Sequence, residues 1–123
     1  MIAYKVVGGK TAADADRVAR TMAESLLIKT GFFGEDPNWG RLLAAAGRAG
    51  VELEPGDLDI DINGVPLVRS GRAAETEAAD IIAQMQQEEI QVWVNLNQGG
   101  YQATIYGCDL GHEYVKINAE YHT

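Results

Sequence analysis

Asn63-Gly64 lies in the middle of an apolar alternation running from Leu58 to Val68, and this dipeptide restricts the possible folds more than any other feature of the chain. A two-residue loop between antiparallel strands needs positive φ at both positions, and Asn-Gly supplies that at least steric cost. The segment therefore reads as a β-hairpin. Ile90, Val92, Val94 and Leu96 alternate in the same way, and the Gln98-Gly99-Gly100 turn leads into a partner strand from Tyr101 to Tyr106. Ile2 to Val7 reads as another strand, closed by Gly8 and Gly9. Strands with one apolar side need a cover.

Thr11 and Asp14 have the spacing of a capping box, in which hydroxyl and carboxylate meet amide hydrogens left unpaired at a helix start. Behind them Ala15, Val18, Ala19, Met22 and Leu26 recur at helical spacing, with Asp16, Arg17, Arg20 and Glu24 on the other side. Asp16 and Arg20 form a weakly supporting pair four residues apart. Asp36-Pro37 opens a second helix carrying Trp39, Leu42, Leu43 and Ala46, with Gly47 or Gly50 at its end. Ala74, Ala78, Ile81, Ile82 and Met85 predict a third. From Asp109 to Thr123 two patterns compete: Leu110, Tyr114, Ile117 and Tyr121 suit a helix, Val115 and Ile117 a strand. The expected architecture is α+β, a mostly antiparallel sheet with helices on one face. No repeat or linker divides the chain, so residues 1–123 are expected to form a single domain. A chain of 123 residues buries roughly two-thirds of its unfolded surface, enough for a core without staples.

Ten basic against eighteen acidic residues give a net charge of -8, which argues against binding nucleic acid or an anionic membrane surface. No apolar run approaches the ~20 residues of a membrane-spanning helix, and no signal-peptide pattern opens the chain. The lone Cys108 has no internal disulfide partner, which fits a reducing compartment, and a cytoplasmic protein is expected.

Several motifs tempt and fail. Gly9-Lys10-Thr11 resembles the end of a phosphate loop, but Tyr4 replaces the first glycine such a loop needs. Asp59-x-Asp61-x-Asn63-Gly64 imitates half a calcium loop, yet Ser70 stands where the bidentate glutamate belongs. Cys108, His112 and His122 fit no zinc spacing, so no metal site is expected. There is no Gly-x-Ser-x-Gly elbow, and Cys108 has no adjacent base in sequence. The residues show no complete catalytic constellation.

Two stretches are unlike ordinary packing. Lys29-Thr30-Gly31-Phe32-Phe33-Gly34-Glu35-Asp36-Pro37-Asn38-Trp39-Gly40-Arg41 joins glycines, aromatics and polar groups just before a helix. Such a loop aims backbone amides and a helix start at one point, a natural seat for a polar or anionic ligand. The alternative is a structural turn with its aromatics packed inside. The second stretch runs from Tyr114 to Thr123 and contains Asn118; the alternative there is a docked terminal element.

The first stretch closely resembles the Lys-Thr-x-Phe-Phe-Gly-x-Asp-Pro-Asn-Trp-Gly-Arg signature of the bifunctional ornithine/glutamate N-acetyltransferases of arginine biosynthesis. Cys108-Asp109-Leu110 and Tyr114-Val115-x-Ile117-Asn118-Ala119-x-Tyr121-x-Thr123 resemble that family's carboxyl end. The likeness runs the length of the chain in the same order, with Gly47-Arg48-Ala49-Gly50 and Asn63-Gly64 in place. It implies a precursor that cleaves itself into two chains and exposes an amino-terminal threonine. This threonine carries acetyl from N-acetylornithine to glutamate. It also implies that Glu35, Asn118 and Thr123 contact substrate.

The departures also carry expectations. This chain resembles the carboxyl-terminal part of the second, or beta, chain. The self-cleavage site, the nucleophile and the oxyanion hole are missing from it. No catalytic residue is therefore expected here, and the isolated chain is expected to be inactive. Its expected partners are the rest of the same enzyme, namely the alpha chain and the amino-terminal part of the beta chain, and small amino-acid substrates. Surface exposed by truncation predicts a homo-oligomer. No cofactor is expected; acetyl-CoA stays open as an acetyl donor of the full enzyme, decided by residues outside this chain. The competing reading is a non-catalytic binding or assembly module with the same fold.

Overall fold

The computed structural model describes residues 1–24 and 44–107 and the backbone of residues 118–121. Its centre is a seven-stranded mixed sheet. The strands are β1 (Ile2–Gly9), β2 (Asp59–Ile62), β3 (Val65–Arg69), β4 (Arg72–Ala73), β5 (Ile90–Asn95), β6 (Tyr101–Gly107) and β7 (Asn118–Tyr121). Their spatial order is β4-β3-β2-β5-β1-β6-β7. Only β1 and β5 run parallel; every other neighbouring pair is antiparallel. Helix α1 (Ala12–Glu24) packs on β1 and β6, and α2 (Ala78–Met85) on β2 and β3.

Register explains why one side of this sheet is dry. Ile2, Tyr4 and Val6 pair with Ile90, Val92 and Val94 across the parallel seam. Ile105 and Ala103 stand opposite Tyr4 and Val6, and Ile62 and Ile60 stand opposite Val92 and Val94. Side chains alternate along a strand, so these residues share one face. All are buried, and they join one core with Ala15, Val18, Ala19 and Met22 of α1 and Ile81 and Met85 of α2. Both helices thus cover the same face, as the alternation predicts.

The local signals behave as their chemistry dictates. The Asp14 amide donates to the Thr11 hydroxyl at 3.0 Å, so Gly9-Lys10-Thr11 is a strand end and a helix cap. Arg20 reaches Asp16 at 3.0 Å. Asn63 and Gly64 have φ of 50° and 80°, the mirror-image turn expected of this pair. The Asn63 carboxamide accepts from the Gln91 amide at 2.7 Å and faces Gln84 and Glu89 oxygens, tying the hairpin to the α2–β5 connection. Residues 44–47 are helical, and of the two candidate terminators it is Gly50, at φ 73°, that stops the chain from continuing. The rest of that second helix, including Trp39, Leu42 and Leu43, lies outside the described residues, as does Leu26.

One boundary differs from expectation, and two further local details are settled by the fold. Ala74 does not belong to α2: its amide bonds the Leu67 carbonyl, extending the β3–β4 ladder, and the helix begins only at Ala78. In the β5–β6 connection the positive φ falls on Asn97, at 54°, rather than on Gly99 or Gly100. Gly99 serves a different purpose, since a Cβ there would sit 2.5 Å from the Gly9 carbonyl oxygen. Within the ambiguous last segment, residues 118–121 form a strand, because β6 offers them an edge.

Candidate functional site

Among the expected substrate contacts, Asn118 is placed by its backbone, whereas Glu35 and Thr123 lie outside the described residues. So do Cys108, His112 and His122. Asn118 opens β7 and stands in register with Thr104 of β6. Thr104 is opposite Lys5 of β1, Lys5 opposite Trp93 of β5, and Trp93 opposite Asp61 of β2. One transverse row therefore runs Asp61–Trp93–Lys5–Thr104 and reaches the register position of Asn118. Lys5, Trp93, Asp61 and Thr104 are half-buried on the face away from the helices.

The last turn of α1 and the end of β6 lie at the same end of the sheet. Gly107 stands opposite Ile2, and a Cβ on it would lie 3.9 Å from the Ala23 carbonyl oxygen. The reason is topological: α1 returns antiparallel to β1, so its last turn meets the strand ends where β6 finishes. Met1 is at this end too, its amino group 3.3 Å from the Glu88 carbonyl oxygen.

The opposite end holds a cavity of about 460 Å³ lined by Val7, Gly8, Asn95, Asn97, Tyr101 and Gln102, with Gly99 and Gly100. Asn95 accepts the Asn97 amide at 2.9 Å, and Asn97 in turn donates to the Asp57 carbonyl and the Asp59 carboxylate. Gly8 has no room for a side chain, since a Cβ would lie 2.1 Å from Asn95 Oδ1. Sequence reasoning passed over this cavity and over the Lys5–Thr104 row. The signal for the row was present in the alternation that set Ile and Val inward and so set these residues outward.

The rejected calcium motif resolves into structural contacts. Asp59 accepts the Ser70 amide at 2.9 Å, and Asp61 pairs with Arg69 at 2.6 Å. Among the described residues, no cluster of three metal-ligating side chains occurs, and no helix is long and apolar enough to cross a membrane.

The described residues form a mixed sheet with two helices on one face, an α+β arrangement. The match to the ArgJ family extends over residues 1–123, and the chain belongs to that family. It is 48% identical, over 98% of its length, to the arginine biosynthesis bifunctional protein ArgJ of Desulfotalea psychrophila. It is 40% identical, over its full length, to a glutamate N-acetyltransferase of Methanococcus maripaludis. The crystal structure of ArgJ from Bacillus halodurans superposes with a TM-score of 0.84 at 29% identity, covering 92% of this chain and 54% of that one. The chain spans 31% and 33% of the two curated relatives.

Proposed function

We propose that this chain is the substrate-binding part of an acetyltransferase of arginine biosynthesis that moves acetyl from N-acetylornithine to glutamate. The observation that carries the reading is that a chain holding both motif stretches, Lys29 to Arg41 and Tyr114 to Thr123, matches the ArgJ family over its whole length. The names of the relatives, an arginine-biosynthesis bifunctional protein and a glutamate N-acetyltransferase, support the same reaction.

In this proposal the attacking group is the hydroxyl of an amino-terminal threonine, exposed by self-cleavage of a longer precursor, with its own α-amine as base. The hydroxyl oxygen bonds to the acetyl carbon of N-acetylornithine, the amide C–N bond breaks, and ornithine leaves with the proton. The amine of glutamate then attacks the acetyl ester and regenerates the hydroxyl. An oxyanion hole outside this chain stabilises each tetrahedral intermediate. Glu35 attracts the substrate ammonium group, while Asn118 and the Thr123 hydroxyl supply hydrogen bonds. The isolated chain is inactive, works in the cytoplasm as part of the full enzyme, and self-associates when cut from it.

The test is reconstitution. The 123-residue chain alone should transfer no acetyl, and adding the segments present in the longer relatives should restore turnover. Glu35→Ala should then lower kcat/KM about 10- to 100-fold, the range expected for losing a charged hydrogen bond. Restored turnover that is indifferent to Glu35→Ala refutes the site assignment. Acetyl transfer by the chain alone refutes the division of labour.

A further inference from the structure

Asn63-Gly64 carries a chemical liability that its service as a turn does not use. Asparagine is a labile residue, and a following glycine removes the Cβ that would hinder attack by the next amide nitrogen. In that attack the Gly64 nitrogen bonds to Asn63 Cγ, the Cγ–Nδ2 bond breaks, and ammonia leaves with the Gly64 amide proton. Water then opens the succinimide ring at either carbonyl. The products are aspartate and isoaspartate, the latter with the main chain rerouted through the side chain. None of the other asparagines, Asn38, Asn95, Asn97 and Asn118, precedes a glycine.

The fold opposes the first step. With φ of 50° and 80° the pair forms the mirror image of a type I turn, whose first central residue has ψ near about +30°. That torsion sets the Gly64 nitrogen nearly anti to the Asn63 Cβ, whereas ring closure needs the two eclipsed. The residue is also held in place. Its carboxamide oxygen accepts the Gln91 amide at 2.7 Å, and its own amide donates to the Gln91 carbonyl at 2.9 Å. Nδ2 faces the Gln84 carbonyl oxygen at 3.5 Å, and Gln84 Oε1 and the Glu89 carbonyl oxygen at 3.4 Å. Closing the ring therefore requires the hairpin to part from the α2–β5 connection.

The same contacts exclude the product. All three atoms facing Nδ2 are acceptors, so a carboxylate in its place sets oxygen against oxygen. The Gln84 carbonyl belongs to the last turn of α2, the negative end of that helix, and this turn carries no basic residue. Asp-Gly suits the same turn as Asn-Gly, so the cost falls on these contacts rather than on the backbone. Isoaspartate adds a main-chain carbon to a two-residue loop and disturbs the register that buries Ile60, Ile62 and Val68.

We infer that Asn63 is a deamidation site gated by the fold. It is inert while the hairpin is fastened to the α2–β5 connection and reacts when that fastening opens, and the acid it forms keeps the hairpin from closing again. The inference is independent of acetyl transfer, because its readouts are mass and unfolding.

The experiment keeps the full chain and a peptide spanning Leu58 to Val68 in the same mildly alkaline buffer. Deamidation is followed by peptide mapping, with isoaspartate resolved by chromatography. The peptide should convert about tenfold faster or more, because the folded chain reacts only through its open fraction. Met85→Ala, which loosens α2 from the core, should narrow the gap, and urea below the unfolding transition should do the same in the unaltered chain. Asn63→Asp should lower the thermal midpoint by about 3–10 °C. It should fall below Asn63→Gly, which keeps the turn without the charge. Equal rates in peptide and folded chain, or a folded-chain rate that ignores both Met85→Ala and urea, overturn the gate. An Asn63→Asp chain as stable as wild type, or more stable than Asn63→Gly, overturns the exclusion of the product.

Discussion

The two faces of the sheet are built from the same strands by alternate residues, yet they answer to different physics. On the helix side Ile60, Val94, Val6 and Ala103 form a transverse row with no exposed surface. One residue along, Asp61, Trp93, Lys5 and Thr104 form a row that is polar, charged and half-buried. A shift of one residue in register would exchange the two sets, so the dry face also determines which residues the other face displays. Stability resides in the first row, where apolar surface is removed from water.

The largest effect should separate these rows directly. Ile60→Ala removes fully buried atoms and should cost about 2–5 kcal/mol in urea unfolding. Thr104→Ala, in the other row, should stay within about 0.5–1 kcal/mol. Equal losses would mean that the second face is packed as tightly as the first.

A smaller contrast compares two glycines with nearly equal backbone angles. Gly71 and Gly64 have φ of 72° and 80°, but a Cβ on Gly71 meets the Pro55 carbonyl oxygen at 2.3 Å, whereas one on Gly64 meets nothing within 4 Å. Gly64→Ala should cost only the left-handed penalty, about 1–2 kcal/mol, and Gly71→Ala clearly more. Thermal unfolding of the pair isolates the steric part. The smallest expected change is Thr11→Ala, about 1 kcal/mol, from loss of the hydrogen bond that caps α1. Replacement by serine should recover most of it.

Much of this was legible in the residues because it is local. Thr11 and Asp14 announced the helix start, Asn63-Gly64 the hairpin, and the alternation from Ile90 the strand and its inward face. The strand order was not legible, because pairing β1 in parallel with β5 depends on contacts about ninety residues apart. Ala74 looked helical by spacing but was claimed by the Leu67 carbonyl, a tertiary partner that periodicity cannot reveal. The four hydrogen-bond contacts of the Asn63 carboxamide and the asparagine turn at Asn97 were equally invisible.

The candidate site was legible in another way. No physical pattern singled out Glu35, Asn118 or Thr123; their order beside glycines and aromatics did, through likeness to a family. Among these three the described structure bears only on the backbone of Asn118. The row through Lys5, by contrast, follows from alternation alone and needed only the pairing register to become visible.

The central position of β1 has a consequence for how the molecule is made. Ile2–Gly9 is translated well before both of its sheet neighbours, β5 and β6. Its hydrogen-bonding groups must wait while some eighty further residues are synthesised, and closing so long a loop is slow. During that interval an apolar strand is unpaired on both sides, and the nascent chain has most need of a chaperone.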